Sequence, residues 1–262
     1  ASGFDERQRS MLAYLERLKS AAALDGDGDA TAHLQVHYVK KATGGGRYAV
    51  GGERSLSMQG CYSILRPLLV GARCHDIDMV NSIPSLLVQF LQRPSEHGCV
   101  DLADDDHAAI RRYVAHRDEW LADVADFYGV ERGAAKGLVL RVMYGGTVRP
   151  WLRESAAVNT ARVYEPVAAL ERSMRVVRDK VLGSTKWAHV LENTTRRDDE
   201  QQRRGAFAII TQELQDRVLV QIDRSFRAQG WSVPSLIFDG LHVEHREDAD
   251  VEGAMRAAER DV

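Results

Sequence analysis

The strand-like segments of this chain are short and far apart, and helical periodicity fills most of what lies between them. His33 to Tyr38 alternates apolar and polar residues. Cys74-His75-Asp76-Ile77-Asp78-Met79-Val80 reads as a short strand with acids at alternate positions. Val233 to Phe238 and Leu241 to Glu244 flank an Asp239-Gly240 turn, the pattern of a hairpin. The remaining runs predict helices: 5–23 with Met11, Leu12, Leu15 and Leu18 on one stripe, then Ser85–Gln92 with Pro84 in its first turn. Helical pattern also covers most of 104–144, then 157–182, 204–229 and a last segment from about 250. Residues 62–70 fit helix or strand, and 185–203 is polar and rich in Arg and Asp. The order predicts a mixed α+β fold with few strands and many helices.

At 262 residues, 44% hydrophobic and 28% charged, the chain suits one large domain or two closely joined lobes. The net charge of −3 gives no global signal for nucleic acid, so such a role has to rest on a local basic track. Three scattered cysteines, Cys61, Cys74 and Cys99, point to a reduced intracellular protein without a disulfide framework. No apolar run approaches the roughly 18 residues that span a membrane, and no signal peptide opens the chain. The opening at Ala1 and the helical pattern still running at Val262 predict a piece of a longer protein.

The run ERGAAKGLVLRVMYGG places Arg132, Lys136, Leu140 and Tyr144 four residues apart, so they drift slowly around one helix face. Two cations, an apolar side chain and an aromatic ring ahead of Gly145-Gly146 suit a triphosphate with a stacked base. Acids able to hold metal ions lie on the strands. Asp76 and Asp78 share one face, and Asp239 follows the apolar run Leu236-Ile237-Phe238. Carboxylates on rigid strands are what a pair of Mg²⁺ ions requires. Two other metal readings fail on spacing. The loop Asp25–Asp29 has Ala30 where a calcium loop needs Gly and Val36 where it needs Glu. Cys61, Cys74, His75, His97 and Cys99 lack the close Cys-x-x-Cys pairing of structural zinc.

Taken together, these segments resemble the polymerase core of family A DNA polymerases and the related single-subunit phage-type RNA polymerases, over roughly His33 to Arg256. LQVHYVKKATGGGRYA is similar to the segment that ends in Thr-Gly-Arg before the palm, and SLSMQGCYSILRPLL to elements carried here by Gln59 and Arg66. DIDMVNSIPSLL is similar to the first metal motif, ERGAAKGLVLRVMYGG to the fingers helix, and RRGAFAIITQEL to the segment holding Arg204, Phe207 and Gln212. SLIFDGLHVEH resembles the last motif, with Asp239 as its acid. The chain departs from the pattern in reading Phe-Asp-Gly there, and in carrying Leu140 where DNA polymerases have Phe. Aligning either Asp76 or Asp78 as the first ligand puts Asn81 or Ile83, respectively, at the place of the sugar-excluding Glu. The stretch from Asp78 through Asn81 to Pro84-Ser85 also resembles the Asp-to-Pro-Ser spacing of family B polymerases, and that resemblance favours Asp78.

The resemblance implies a right-hand palm with a small antiparallel sheet, a helical fingers subdomain and a reduced or absent thumb. Residues 1–32 would be an N-terminal helix and loop, 33–103 palm, 104–203 fingers with the nucleotide-binding helix at 131–145, and 204–262 palm again. It implies a DNA polymerase without proofreading, working by two Mg²⁺ ions that Mn²⁺ could replace, with Asp78, Asp239 and Asp76 as metal ligands. An RNA-synthesising or priming enzyme, or a retired palm that only binds nucleic acid, are the alternatives. Lys136 would protonate the leaving pyrophosphate. Arg132, Lys136, Leu140, Tyr144, Gly145 and Asn81 would bind the nucleoside triphosphate. Lys40, Lys41, Arg47, Gln59, Arg66, Arg204 and Gln212 would meet primer–template DNA. A clamp, a helicase or primase partner, or further domains would supply processivity.

Overall fold

The structure, a computed structural model, describes residues 5–24, 30–32, 34–40, 49–50, 57–92, 103–247 and 249–261. Lys41, Arg47, His97, Cys99 and the loop Asp25–Asp29 lie outside the described residues. In chain order the elements begin with α1 (Glu6–Ala21), β1 (Ala22–Leu24), β2 (Ala30–Ala32), β3 (Tyr38–Val39) and β4 (Ala49–Val50). Next come α2 (Arg66–Val70), β5 (Cys74–Asp78), α3 (Ser82–Gln92), α4 (Ala108–Ala115), α5 (Arg117–Tyr128) and α6 (Arg132–Met143). The remainder is α7 (Val148–Glu154), α8 (Glu165–Leu182), α9 (Ala188–Glu192), α10 (Asp199–Ala228), β6 (Ser235–Ile237), β7 (Gly240–Glu244) and α11 (Val251–Asp261). The protein is α+β and mostly helical, and its described residues form one small three-stranded antiparallel sheet and two short two-stranded antiparallel pairs. Of the described residues, those before 80 and after 215 form one compact unit, and residues 80–215 form the other.

The first unit carries the sheet. Its strands run β5-β7-β6, all antiparallel, so the strand nearest the C-terminus lies in the middle. Alternation gives the sheet two faces. Ile77, Leu236, Leu241 and Val243 meet Phe226, Trp231 and the small residues Ala254 and Ala258 of α11 in a closed core. The other face is polar. Strand β6 has an open edge, and the Tyr38 hydroxyl covers it: it accepts from the Leu236 N–H at 3.1 Å and donates to the Leu236 carbonyl at 3.3 Å. At the start of the chain Asp5 and Gln8 form a capping box that nucleates α1.

The second unit is helical. Leu121, Tyr128, Leu138, Met143, Leu170 and Phe207 are fully buried in one continuous core. Helix α6 contributes Ala135, Leu138, Val139, Val142 and Met143 to that core and leaves its opposite face in solvent. It ends where Gly145 takes a left-handed φ of 78°.

Four sequence expectations shift. Of the described residues 34–38 in the run expected as a strand, only Tyr38 is in one. The expected helix 157–182 begins only at Glu165, because Pro166 has no N–H and belongs in a first turn. The helix expected from 204 begins at Asp199, where the Asp198 carboxylate accepts from the Gln201 N–H at 2.8 Å and acids fill the first turn. The hairpin turn is Phe238-Asp239 rather than Asp239-Gly240. Gly240 opens β7 instead, because a Cβ there would stand 2.5 Å from the Ile77 carbonyl oxygen.

Candidate functional site

The register of β5 on β7 sets Asp78 opposite Gly240 and Asp76 opposite His242. Both acids therefore share the polar face of the sheet, and both are exposed. Asp239 reaches the same end of the sheet through the turn, its carbonyl accepting from the Met79 N–H at 3.1 Å. The turn is strained. Phe238 has φ of 55°, a left-handed conformation costing a bulky residue about 1–2 kcal/mol. The pairing of Ile237 with Gly240 holds it, and the Arg66 guanidinium lies 5.7 Å from its ring centroid. A Cβ on Gly240 would also come within 3.2 Å of the Asp78 carboxylate, so Asp78 and Asp239 flank a position open only to glycine.

Beside this end lies a polar row that sequence reading missed. His242 is buried on β7, with Nδ1 2.7 Å from the Ser235 hydroxyl on β6 and Nε2 3.8 Å from the Asp76 carboxylate on β5. Burial pushes the His242 imidazole below its usual range. Asp76 pulls it up, and Arg66 adds to the lowering. Position parity along the hairpin was the one available signal, since His242 sits two residues from Gly240. Among the described residues no group of three or more His, Cys, Asp or Glu side chains is gathered to hold a metal ion. Cys61 and Cys74 are buried free thiols.

On α6, Arg132, Lys136 and Leu140 are exposed in a row, with Gly133 and Gly137 on the same face. Arg132 pairs with Asp118 at 2.5 Å, whereas Lys136 has no ion-pair partner among the described residues. Tyr144 leaves the row: it is half-buried and packs against the helical core. Steps of four residues on a 3.6-residue helix advance about 40° each, so three steps carry the ring about 120° around the axis. Asn81, with φ of 57°, precedes α3 and lines a cavity of about 400 Å³ with Ser85 and the Arg117–Glu119 start of α5.

The other expected nucleic-acid contacts have mixed surroundings. The Lys40 ammonium is 3.1 Å from the buried Asp216 carboxylate, and Gln59 is half-buried in a turn. Arg66 donates to the Cys61 carbonyl at 3.2 Å, while its buried Nε has no hydrogen-bond partner among the described residues. Arg204 and Gln212 lie on α10, half-buried. Arg204 and Gly145 share a second cavity with Arg175 and Arg178, two cations that no motif singled out.

No protein-family model matches the chain. It is similar to "Putative helicase V13" of Sputnik virophage, with 24% identity over 249 residues. That match takes in 93% of this chain and 30% of the virophage protein, so the chain spans less than a third of its relative's length. The similarity corrects the functional expectation. The relative is named as a helicase, and the expectation of a DNA polymerase, with its RNA-synthesising and priming variants, is set aside. No helix among the described residues is long and apolar enough to cross a membrane.

Proposed function

We propose that this chain is a nucleic-acid-engaging module of a helicase-type protein, and that the exposed α6 face is where it meets nucleotide or strand phosphates. The observation that carries this reading is the row Arg132, Lys136 and Leu140. Its two cations stand beside an apolar contact, and two glycines leave the backbone bare between them. The 262 residues contain no Gly-x4-Gly-Lys-Ser/Thr run. Phosphate recognition by a P-loop of this stretch is therefore excluded, and an NTP-driven motor on such a loop would lie elsewhere in a longer protein.

The acidic end of β5 and β7 extends the reading to a divalent cation. Mg²⁺ keeps several waters and is commonly held by one or two carboxylates together with phosphate oxygens, so it needs no three-donor protein cage. Asp78 and Asp239 fit that donor set, with Asp76 as a neighbouring acid. Bound there, Mg²⁺ would neutralise phosphate charge. The right-hand palm resemblance of this sheet is part of the same proposal.

The test is fluorescence anisotropy of labelled single-stranded oligonucleotide against wild type, Arg132→Ala, Lys136→Ala and the surface control Arg256→Ala on α11. Each α6 substitution should weaken binding several-fold and reduce the slope of log affinity on log salt by about one. Wild-type affinity in both α6 variants, or no binding by the wild-type chain at low salt, would refute the reading.

A further inference from the structure

At the C-terminal end of α6 a cavity of about 310 Å³ is lined by Gly145, Thr147, Arg175, Arg178, Glu200 and Arg204, among others. Its volume is at the lower end of the roughly 300–1,000 Å³ usual for small-ligand sites, room for one phosphorylated unit of a strand. Three guanidiniums face it against the two carboxylates Glu171 and Glu200, so its lining is net positive. Arginine keeps that charge at any working pH and offers forked donors that match phosphate oxygens.

The three cations are held differently. Arg178 is buried, its side chain only 6% exposed, with Nε 3.1 Å from Asp179 and a terminal nitrogen 2.7 Å from Glu200. The same Glu200 oxygen accepts from Arg204 Nε at 3.0 Å, so one anionic oxygen sits between two guanidiniums. Burial raises the Glu200 carboxyl, but the hydrogen bonds and charges of Arg178 and Arg204 outweigh it and hold the group below its usual range. Arg175 stands at the rim, well exposed, with a long 3.4 Å contact to Glu171. Glu171 itself accepts from the Val148 N–H at 2.9 Å at the start of α7. Gly145 presses its backbone between the arginine stems: a Cβ there would lie 3.4 Å from both Arg178 Cδ and Arg204 Cγ.

We propose that this cavity is a phosphate site for a nucleic-acid strand. Arg175, Arg178 and Arg204 bind the phosphate, and Glu200 is an internal anion that competes with it for two of the three. The proposal rests on the nucleic-acid reading above and adds a second contact point to it. An internal competitor makes an unusual demand: removing an acid far from any base contact must tighten binding, although it removes two ion pairs from the fold.

The experiment uses the full chain and a labelled oligo-dT in anisotropy, with inorganic pyrophosphate as competitor and thermal melting in parallel. Arg175→Ala should weaken binding about threefold or more and lower the salt slope by about one, with an unchanged melting temperature. Glu200→Gln should bind about threefold more tightly while melting lower. Glu200→Gln binding as wild type or more weakly, or Arg175→Ala binding as wild type, overturns the site. If that happens while Lys136→Ala still loses affinity, the cavity proposal fails alone and the α6 reading stands. Absence of binding by the wild-type chain removes both. Pyrophosphate binding as tightly as the oligonucleotide, and lost in the same variants, overturns the strand as ligand.

Discussion

Replacing Gly137 by Ala should make this protein more stable and a poorer binder at once. Gly137 is in the interior of α6 on its exposed face, and an added Cβ would meet nothing within 4 Å. Glycine in such a place costs a helix about 0.8–1.0 kcal/mol relative to alanine, through backbone entropy alone. With no steric term to subtract, the substitution should return nearly all of it. Gly133 is one turn earlier, in the first turn, and its Cβ would meet only the flexible end of Glu131 at 3.4 Å. Its alanine variant should add about half as much. For a domain of 150–250 residues, 1 kcal/mol moves the melting temperature by roughly 2–4 °C.

The same two methyl groups would stand between Arg132, Lys136 and Leu140, where a phosphate or sugar must come close to the helix backbone. Oligonucleotide affinity should fall about threefold to tenfold, equivalent to roughly 0.7–1.4 kcal/mol. Thermal melting by circular dichroism and anisotropy on the same samples measure both quantities. A higher melting temperature with unchanged affinity refutes close approach to this face. A lower melting temperature refutes the placement of Gly137 on open surface.

Other outcomes follow from single contacts. Asp78→Asn and Asp239→Asn should abolish the Mg²⁺-dependent part of nucleoside triphosphate binding by calorimetry. His242 is held neutral by burial, so the unfolded chain takes up its proton first. Stability should be complete above the ordinary histidine value of about 6.5 and decline as pH falls through the lower folded value. His242→Gln should flatten melting temperature between pH 6.5 and 5.5, and an unaltered slope would assign the loss to other groups. Lys40→Ala weakens the support of the buried Asp216 and should cost about 1–3 kcal/mol in urea unfolding, part of it regained with Asp216→Asn.

The elements whose meaning depends on one local period were legible in the sequence. Asp76 and Asp78 share a face because a strand repeats every two residues, and the α6 cations share one because a helix nearly repeats every four. Legibility ended where the period failed or a distant partner intervened. Tyr144 drifts off the α6 face by accumulated angle, and Gly240 is spent on a close approach of β5 rather than on a turn. The reaction class was not legible either, since acids on strands and cations on a helix describe phosphate and metal handling in many nucleic-acid enzymes.

Charge shows the limit most sharply. Sequence reading gave Lys40, Arg204 and Lys136 comparable roles as phosphate contacts, yet the fold separates them by what each already faces. Lys40 meets Asp216, and Arg204 meets Glu200, which also holds Arg178 twenty-two residues away in the chain. Lys136 faces solvent without an ion-pair partner among the described residues. Internal pairing leaves Lys136 to meet phosphate directly, whereas Arg204 meets it only in competition with Glu200, and both situations depend on helices brought together by their apolar faces. This is why Lys136→Ala should lose affinity with little change in stability, while Lys40→Ala should lose stability first.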